Sequence, residues 1–582
     1  MKSPSALLTR AWWLSAAVMG LAVGYGAFVS LDPAFDLWRS FAAGVLVEQF
    51  RLQDPVWLGI GAALLVLTAL VGHRVRAPLP RWLTPRVLIA VSAIFATVIA
   101  VAGVDGVHLR TPLSLDEFLA GFQAHTLANG HLVQPIEPEW ADRAGQLQPQ
   151  WVRFDAVHGV WGPNYLPGNG VWIALFLKLG LGPWAHAVTA GAIPLLTASV
   201  AQRVLPPSKW GPALAAVLLA TSPQVLITAS TWYAMTPHLI ISLVWLRLFL
   251  RRDTTGYLLA AMVAPIAIGM HQPHIHPAIA APFLLHLLFT RKWGPGLGLL
   301  LWYAAWGLFW LMWRDLLVAG APVVGSASEG ETSYILNRVW RFFTNHGIRD
   351  VYLWLASIGR FIGWQHLALV PLLGAGLAML RRAPIDVVLL AIGAGLMLVP
   401  PLLLMPSQGH GWGYRYLHPA LGNLAIIAAF TWTQLEDRRG FGAWIGWATV
   451  ATVLLALPLR AAQTRAFVAG PAAAISFLNS LDDDVIIVDE EPLWFGLDLV
   501  RNPPELTQPH QLAGRAIDPE SLAALCRERS VVWVPADALV QLGMQRRPAR
   551  RYTPPAQTWP ERLEQAGCTS IERWPSPSKA TE

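Results

Sequence analysis

Residues 385–404 read IDVVLLAIGAGLMLVPPLLL. About 20 predominantly apolar residues are what a helix needs to cross the hydrocarbon core of a bilayer. Arg381 and Arg382 stand before the run, and a turn of small and aromatic residues, Ser407 to Pro419, follows it. A basic turn on one side and a basic-poor turn on the other orient such a helix. The same pattern repeats outward in both directions. Apolar runs fall near 11–30, 56–72, 87–105, 185–202, 211–228, 236–250, 257–270, 276–290, 296–317, 364–380, 385–404, 417–434 and 441–459. The expected fold is all-α and polytopic, with about 13 transmembrane helices.

Composition agrees. The chain has 582 residues, of which 54% are hydrophobic and 13% charged, and its mean hydropathy is +0.45. Soluble domains carry about 25% charged residues. The net charge of +7 could be taken for nucleic-acid binding, but the basic residues lie in short loops between apolar runs, where membrane topology accounts for them. Nucleic acid is therefore excluded as a partner. The 29 Trp match interfacial belts, and they also permit stacking on sugars.

The basic clusters fix the orientation. Arg74, Arg76, Arg81 and Arg86, then Arg203 with Lys209, then Arg247 with Arg251 and Arg252, then Arg291 with Lys292, Arg381 with Arg382, and Arg438 with Arg439, all fall on one side of thirteen spans. The positive-inside rule makes that side cytoplasmic, with the N-terminus inside and the tail outside. The opening run from Ala11 to Val29 reads as an uncleaved first span, since no A-x-A site follows it. Residues 168–181 form a short interfacial or re-entrant helix on this count, because they are few and include Lys178. Four regions result: N-terminal spans over 1–105, an outer loop with interfacial helices over 106–167, a membrane core over 168–461, and a small outer α/β domain over 462–582. In the last, strands are expected at Val485 to Val488 and Val531 to Val534, with a helix at Pro519 to Arg527 between them. A polar stretch over 319–350 ends in an amphipathic half. The only cysteines, Cys526 and Cys568, lie in the tail. A disulfide and two buried thiols are both compatible with that placement.

Polar groups that invite a chemical reading share the outer side. Asp116 and Glu117 open an amphipathic helix in the first loop. Adjacent carboxylates near a membrane suit general-base work, while Ser114 as N-cap with acidic residues in the first turn is an ordinary helix start. Trp161 and Tyr165 in WGPNYLPG (161–168) offer sugar-stacking faces or an interfacial anchor. His271, His274 and His276 in HQPHIHP (271–277) leave metal binding, phosphate contact and proton transfer open. No other metal-ligand motif supports them. In SQGHGWGYRYLHP (407–419), Arg415 is the basic residue among Gly, Tyr414 and Tyr416. Its bidentate fork suits a phosphate, and snorkelling to lipid headgroups is the alternative.

Taken in order, these segments resemble the GT-C class of membrane glycosyltransferases, a group that includes protein O-mannosyltransferases and the lipid A aminoarabinose transferase. The resemblance covers roughly 106–459. It rests on SLDEFLAGFQAHTLANGHL (114–132), NYLPGNGVWIALFLKLGLG (164–182), ALAAVLLATSPQVLITAS (213–230) and GYRYLHPAL (413–421). It implies a polyprenyl-phosphate sugar donor, with Asp116 as catalytic base, Glu117 as its partner and Arg415 as donor-phosphate contact. The chain departs from the class in having two spans before the acidic loop, and His271, His274 and His276 where relatives often carry Arg.

The expected function is transfer of a sugar, with inversion, to a lipid, glycan or protein acceptor at the outer face of a bacterial inner membrane. Membrane lipids are the remaining partners. No cofactor follows from the sequence, and a divalent metal stays open. Rival readings are a polymerase or ligase of lipid-linked glycans, and a transporter or flippase. Against the last, no internal repeat is visible and the ionisable groups cluster in loops.

Overall fold

The computed structural model describes residues 24, 53–74, 82–147, 152–155, 157–317, 340, 348–404, 408–435, 441–507, 509–547, 557–568 and 573–574. Most of the expected first span, Arg76, Arg81, Arg438 and Arg439, and most of 319–350 lie outside these residues.

Among the described residues four helices are long and apolar enough to cross a membrane: Asp54–Gly72, Pro85–Gly106, Trp293–Leu317 and Phe441–Leu478. Six further apolar helices have 10–17 residues, among them Met235–Phe249, Thr254–Ile268, Ile275–Phe289 and Ile385–Pro401. The thirteen expected spans thus do not all appear as full-length crossing helices.

Local chemistry explains the departures. The run expected at 211–228 divides into Gly211–Ala220 and Pro223–Ala229, bent by 56°. Ser222 caps the second helix by accepting from Val225 N at 3.4 Å, and its hydroxyl donates to Gln365 Oε1 at 3.0 Å. The Ser-Pro step starts a new helix rather than continuing the old one. The run expected at 364–380 is shortened to the helix Leu369–Ala378, set off by a break from the helix that ends at Gly363. Between them Gln365 donates to Gln224 Oε1 at 2.7 Å, and the His366 ring meets Thr449 Oγ1 at 3.0 Å.

The last helix does not end near 459. It passes through a π-turn at Thr452–Ala456 and continues to Leu478. Arg460 interrupts the apolar run but not the helix, because its side chain is buried against Asp54 at 2.9 Å. A hydropathy reading stops at such a charge; backbone helicity need not.

Two cores result. The larger lies within the bundle, from Trp245, Phe249 and Phe283 to Leu421, Ile426 and Phe430. The second joins the first outer loop to the tail: Leu119, Phe122, Trp140 and Trp161 pack with the strand Val485–Val488 and with Leu512 and Trp533.

In the loop, β1 (Gln134–Pro135), β2 (Val152–Asp155) and β3 (Val160–Pro163) form an antiparallel sheet in the order β1-β3-β2. In the tail, β4 (Val485–Val488), β5 (His510–Ala513) and β6 (Val531–Val534) form a parallel sheet in the order β5-β4-β6, with Val485 in register with His510 and Val531. All residues of β4 and β6 are buried. Continuous runs such as VIIV and VVWV are what a parallel strand covered on both faces requires. The helix Pro519–Glu528 begins at Asp518, whose side chain caps Ser521 N. Cys526 and Cys568 are joined as a disulfide, with Cα atoms 4.9 Å apart.

Polar ties bind loop and tail. Arg529 pairs with Glu139 at 2.6 Å, Asn502 donates to Leu147 O at 2.7 Å, and Trp161 Nε1 donates to Pro504 O at 3.1 Å.

Candidate active site

The helix Leu115–Ala128 presents Asp116 in its first turn. Ser114 occupies the N-cap position, but its hydroxyl bonds the Tyr233 hydroxyl at 2.8 Å instead of a helix N–H. The cap is supplied from the tail, where Asp498 Oδ1 accepts from Leu115 N at 3.3 Å.

Asp116 meets Arg415 of the turn that follows the helix Ile385–Leu404. Arg415 Nη1 donates to Asp116 Oδ2 at 2.9 Å, and the Tyr165 hydroxyl donates to Asp116 Oδ1. The pair keeps a solvent face, with side chains 16% (Arg415) and 28% (Asp116) exposed. The Arg415 guanidinium lies 5.2 Å from the Tyr416 ring and 5.9 Å from the Tyr233 ring. The Tyr165 ring lies 4.6 Å from His271.

Backbone pairing holds this last contact. Gly168 N donates to Gly269 O and Asn169 N to Met270 O, both at 2.9 Å. A Cβ on Gly168 would stand 2.5 Å from Met270 Cα, so only glycine permits the approach.

The electrostatics follow from these contacts. Burial pushes the Asp116 carboxyl up, but Arg415, the Tyr165 hydroxyl and His271 outweigh it and hold the group below the ordinary carboxylate range. That differs from the raised basicity expected of a desolvated acid, because a fixed guanidinium sits beside it. Burial pulls Arg415 down, yet Tyr416, Asp116 and Tyr233 turn the balance upward and keep it charged. Burial lowers His271 to about 4, against the opposing pull of Asp116, so its ring is neutral near pH 7.

Glu117 is placed differently from its neighbour. It is 2% exposed and accepts Leu113 N at 3.0 Å and Trp232 N at 3.1 Å. Burial raises it to about 7, opposed by those two N–H groups and by Arg501. Both oxygens serve the backbone, so Glu117 staples the loop before the helix to the turn at Trp232.

The remaining sequence candidates divide. Tyr414 is buried, with its backbone held by Gln224 and its hydroxyl without a hydrogen-bond partner among the described residues. His274 is exposed at the start of the helix Ile275–Phe289. His276 is fully buried between Ser242 and Tyr303, at 3.2 and 2.9 Å. Trp161 is 1% exposed and packs edge-on against Phe122, a core position rather than a stacking platform. Among the described residues, no group of three or more His, Cys, Asp or Glu is arranged to hold a metal ion.

The turn bearing Arg415 has a support that sequence reasoning did not identify. Arg360 donates to Gly413 O at 3.3 Å and Gly411 O at 2.9 Å, and lies 3.6 Å from Asp54. Gln224 accepts from Tyr414 N at 3.3 Å and donates to Tyr414 O at 3.0 Å. Gly413 has φ +66°, and a Cβ there would fall 2.2 Å from Gln224 Oε1. The signal for Arg360 was faint: it is one of two basic residues on the amphipathic helix Ile348–Gly363, and nothing near it in sequence marks the Gly411 and Gly413 carbonyls as its partners.

No protein-family model matches the chain, and neither does any curated protein. Among solved structures the chain is similar to ArnT from Cupriavidus metallidurans bound to undecaprenyl phosphate, at 14% identity and TM-score 0.43 over 72% of this chain and 84% of that one. It is also similar to the apo state of the same protein, at 15% identity and TM-score 0.45 over 78% and 93%. The function proposed next rests on the site geometry and not on this likeness.

Proposed function

We propose that the protein is an integral membrane glycosyltransferase of the GT-C type, moving a sugar from a polyprenyl-phosphate donor to a lipid, glycan or protein acceptor at the outer membrane face. The observation that carries this reading is the largely buried pair Asp116–Arg415 at 2.9 Å, set among Tyr165, Tyr233, Tyr416 and His271. A carboxylate and a permanently charged guanidinium are the two groups that sugar transfer from a phosphate requires.

The contacts support the grouping of residues by side that was read from the basic loops. Residues expected outside meet one another: Asp116 with Arg415, Tyr165 with His271, Asp54 with Arg460. Residues expected inside do likewise: Arg252 pairs with Asp386, and Arg203 donates to Leu250 O at 3.2 Å.

In the proposed reaction the donor phosphate approaches Arg415 and competes with Asp116 for its guanidinium. Asp116 loses its counter-charge and becomes more basic just as donor binds. The acceptor hydroxyl then attacks the anomeric carbon. The new carbon–oxygen bond forms as the bond to the phosphate oxygen breaks, the proton passes to Asp116, and the electron pair leaves with the phosphate held by Arg415. One displacement inverts the anomeric centre. Tyr165 holds Asp116 in place, and neutral His271 orients Tyr165.

The test uses purified protein, radiolabelled polyprenyl-phosphate hexose and candidate acceptors. Label should pass to an acceptor, and Asp116→Asn should abolish transfer. Full activity in that variant overturns the assigned base. Movement of labelled lipid across vesicles with no new glycosidic bond overturns the transferase reading in favour of a flippase.

A further inference from the structure

A cavity of about 140 Å³ lies at the seam between the bundle and the tail. The helix Leu457–Leu478 supplies Gln463 and Phe467, the turn before Arg415 supplies His410, the tail supplies Trp494, Phe495 and Asp498, and Gln53 and Leu113 complete the wall. Asp498 also caps the helix that carries Asp116; the others have no part in the transfer step described above.

Its chemistry is specific. The His410 ring lies 3.8 Å from the Phe495 ring and 5.6 Å from the Phe467 ring. His410 is only 7% exposed, and neither ring nitrogen has a hydrogen-bond partner among the described residues. Its Nε2 stands 3.3 Å from Asp498 Oδ2 without hydrogen-bond alignment. Both nitrogens are closed off from the cavity, so what His410 offers its interior is a ring face held beside Phe495. Phe495 sits in the left-handed region at φ 56°, an unfavourable conformation that aims its ring at the cavity. The lining contains no Lys or Arg among the described residues. An anion such as a phosphate therefore finds no counter-charge there, and it would meet the Asp498 carboxylate.

We propose that this seam cavity is a binding site for a neutral sugar ring. A sugar presents C–H faces that suit Trp494, the phenylalanine rings and the His410 ring face, and edge hydroxyls that suit Asp498 and Gln463. The cavity also neighbours the reaction centre along the chain: it is lined by Leu113, three residues before Asp116, and by His410, five residues before Arg415. Its occupant would be a sugar of the acceptor glycan. That assignment to the acceptor rests on the transferase reading, whereas the binding itself does not.

The experiment is saturation-transfer NMR on the purified full-length protein with the methyl glycosides of glucose, mannose, galactose and N-acetylglucosamine, without donor. At least one glycoside should receive saturation at its ring protons. Trp494→Ala should weaken binding about tenfold, Trp494→Phe should largely preserve it, and Gln463→Ala should weaken it too, with some loss of thermal midpoint because Gln463 Oε1 also accepts from Arg460 Nη1 at 2.9 Å. Gln463→Ala decides the matter if Trp494→Ala proves unstable. Absence of transfer to every glycoside, or equal transfer in wild type and both alanine variants, overturns the proposal. A protein that binds glycosides but moves no sugar from polyprenyl-phosphate hexose keeps the cavity and loses the transferase reading; one that transfers sugar but binds no glycoside does the reverse.

Discussion

Arg415 Nη1 lies 2.9 Å from Asp116 Oδ2, across 299 positions of sequence. An acid so paired is a weak base at rest and a stronger one when its partner is drawn elsewhere. The pH dependence should record this. The acid limb of kcat/KM reports the essential base of the free enzyme. Arg415→Met removes the main charge that holds Asp116 down, so that limb should move to higher pH while kcat/KM falls at least about a hundredfold. Arg415→Lys should shift the limb less. An unmoved acid limb in Arg415→Met would show that Asp116 is not the titrating base.

Glu117 gives a prediction of stability. Its folded value is raised to about 7 by burial, above an ordinary value of 4.5. A raised carboxyl contributes stability that is fully present below the unfolded value and is lost as pH rises through the folded one. The contribution, at most about 3 kcal/mol, should therefore fade between about pH 4.5 and pH 7. The thermal midpoint in detergent should fall over that window in wild type. Glu117→Gln should have a lower midpoint, because an amide cannot accept at both positions, and a flatter pH slope. Parallel slopes in the two proteins would contradict the assignment.

Asp54 holds two buried guanidiniums, Arg460 at 2.9 Å and Arg360 at 3.6 Å. Removing one partner of a buried ion pair leaves an uncompensated charge and costs about 3–5 kcal/mol. Asp54→Ala should be more destabilising than Arg360→Met, since it strands two charges rather than freeing one acid that keeps Arg460. Arg360→Met should still raise the donor KM, because it releases the carbonyls of Gly411 and Gly413 that shape the Arg415 turn. Thermal unfolding and donor titration of the two variants check both statements.

The apolar runs were legible because lipid and bundle core impose the same hydrophobic demand on successive helical turns. Their bends were not. The break at Ser222 depends on hydrogen bonds to Trp364 O and Gln365, residues more than 140 positions away, and no local pattern encodes them. Asp116 and Arg415 were both legible as polar residues beside helix ends, on the same side of the predicted spans. Glu117 was not separable from Asp116 in sequence, because its role is decided by which way one helical position faces. His276 and Trp161 looked equally available for ligand contact, yet Ser242 and Tyr303 enclose the one and Phe122 packs against the other. The length of the last helix was hidden by Arg460, whose charge is answered by Asp54 some 400 positions earlier.

The disulfide Cys526–Cys568 closes a segment of 42 residues and fastens the helix Pro519–Glu528 to the chain beyond the helix Trp559–Gln565. Closing a loop of that length stabilises the tail by about 4 kcal/mol on chain-entropy grounds. Reduction should loosen the tail before the bundle, because the larger core draws on neither cysteine. Limited proteolysis after mild reduction should then cut within 527–567 while the bundle resists. The transfer reaction should decline with it, since Asp498 of the tail caps the helix that carries Asp116 and Arg501 donates to Leu113 O at 3.1 Å. A Cys526→Ser/Cys568→Ser variant should behave like the reduced protein. Undiminished transfer in a variant whose tail is cleaved at the same concentration of protease would show that the helix start at Leu115 does not depend on the tail.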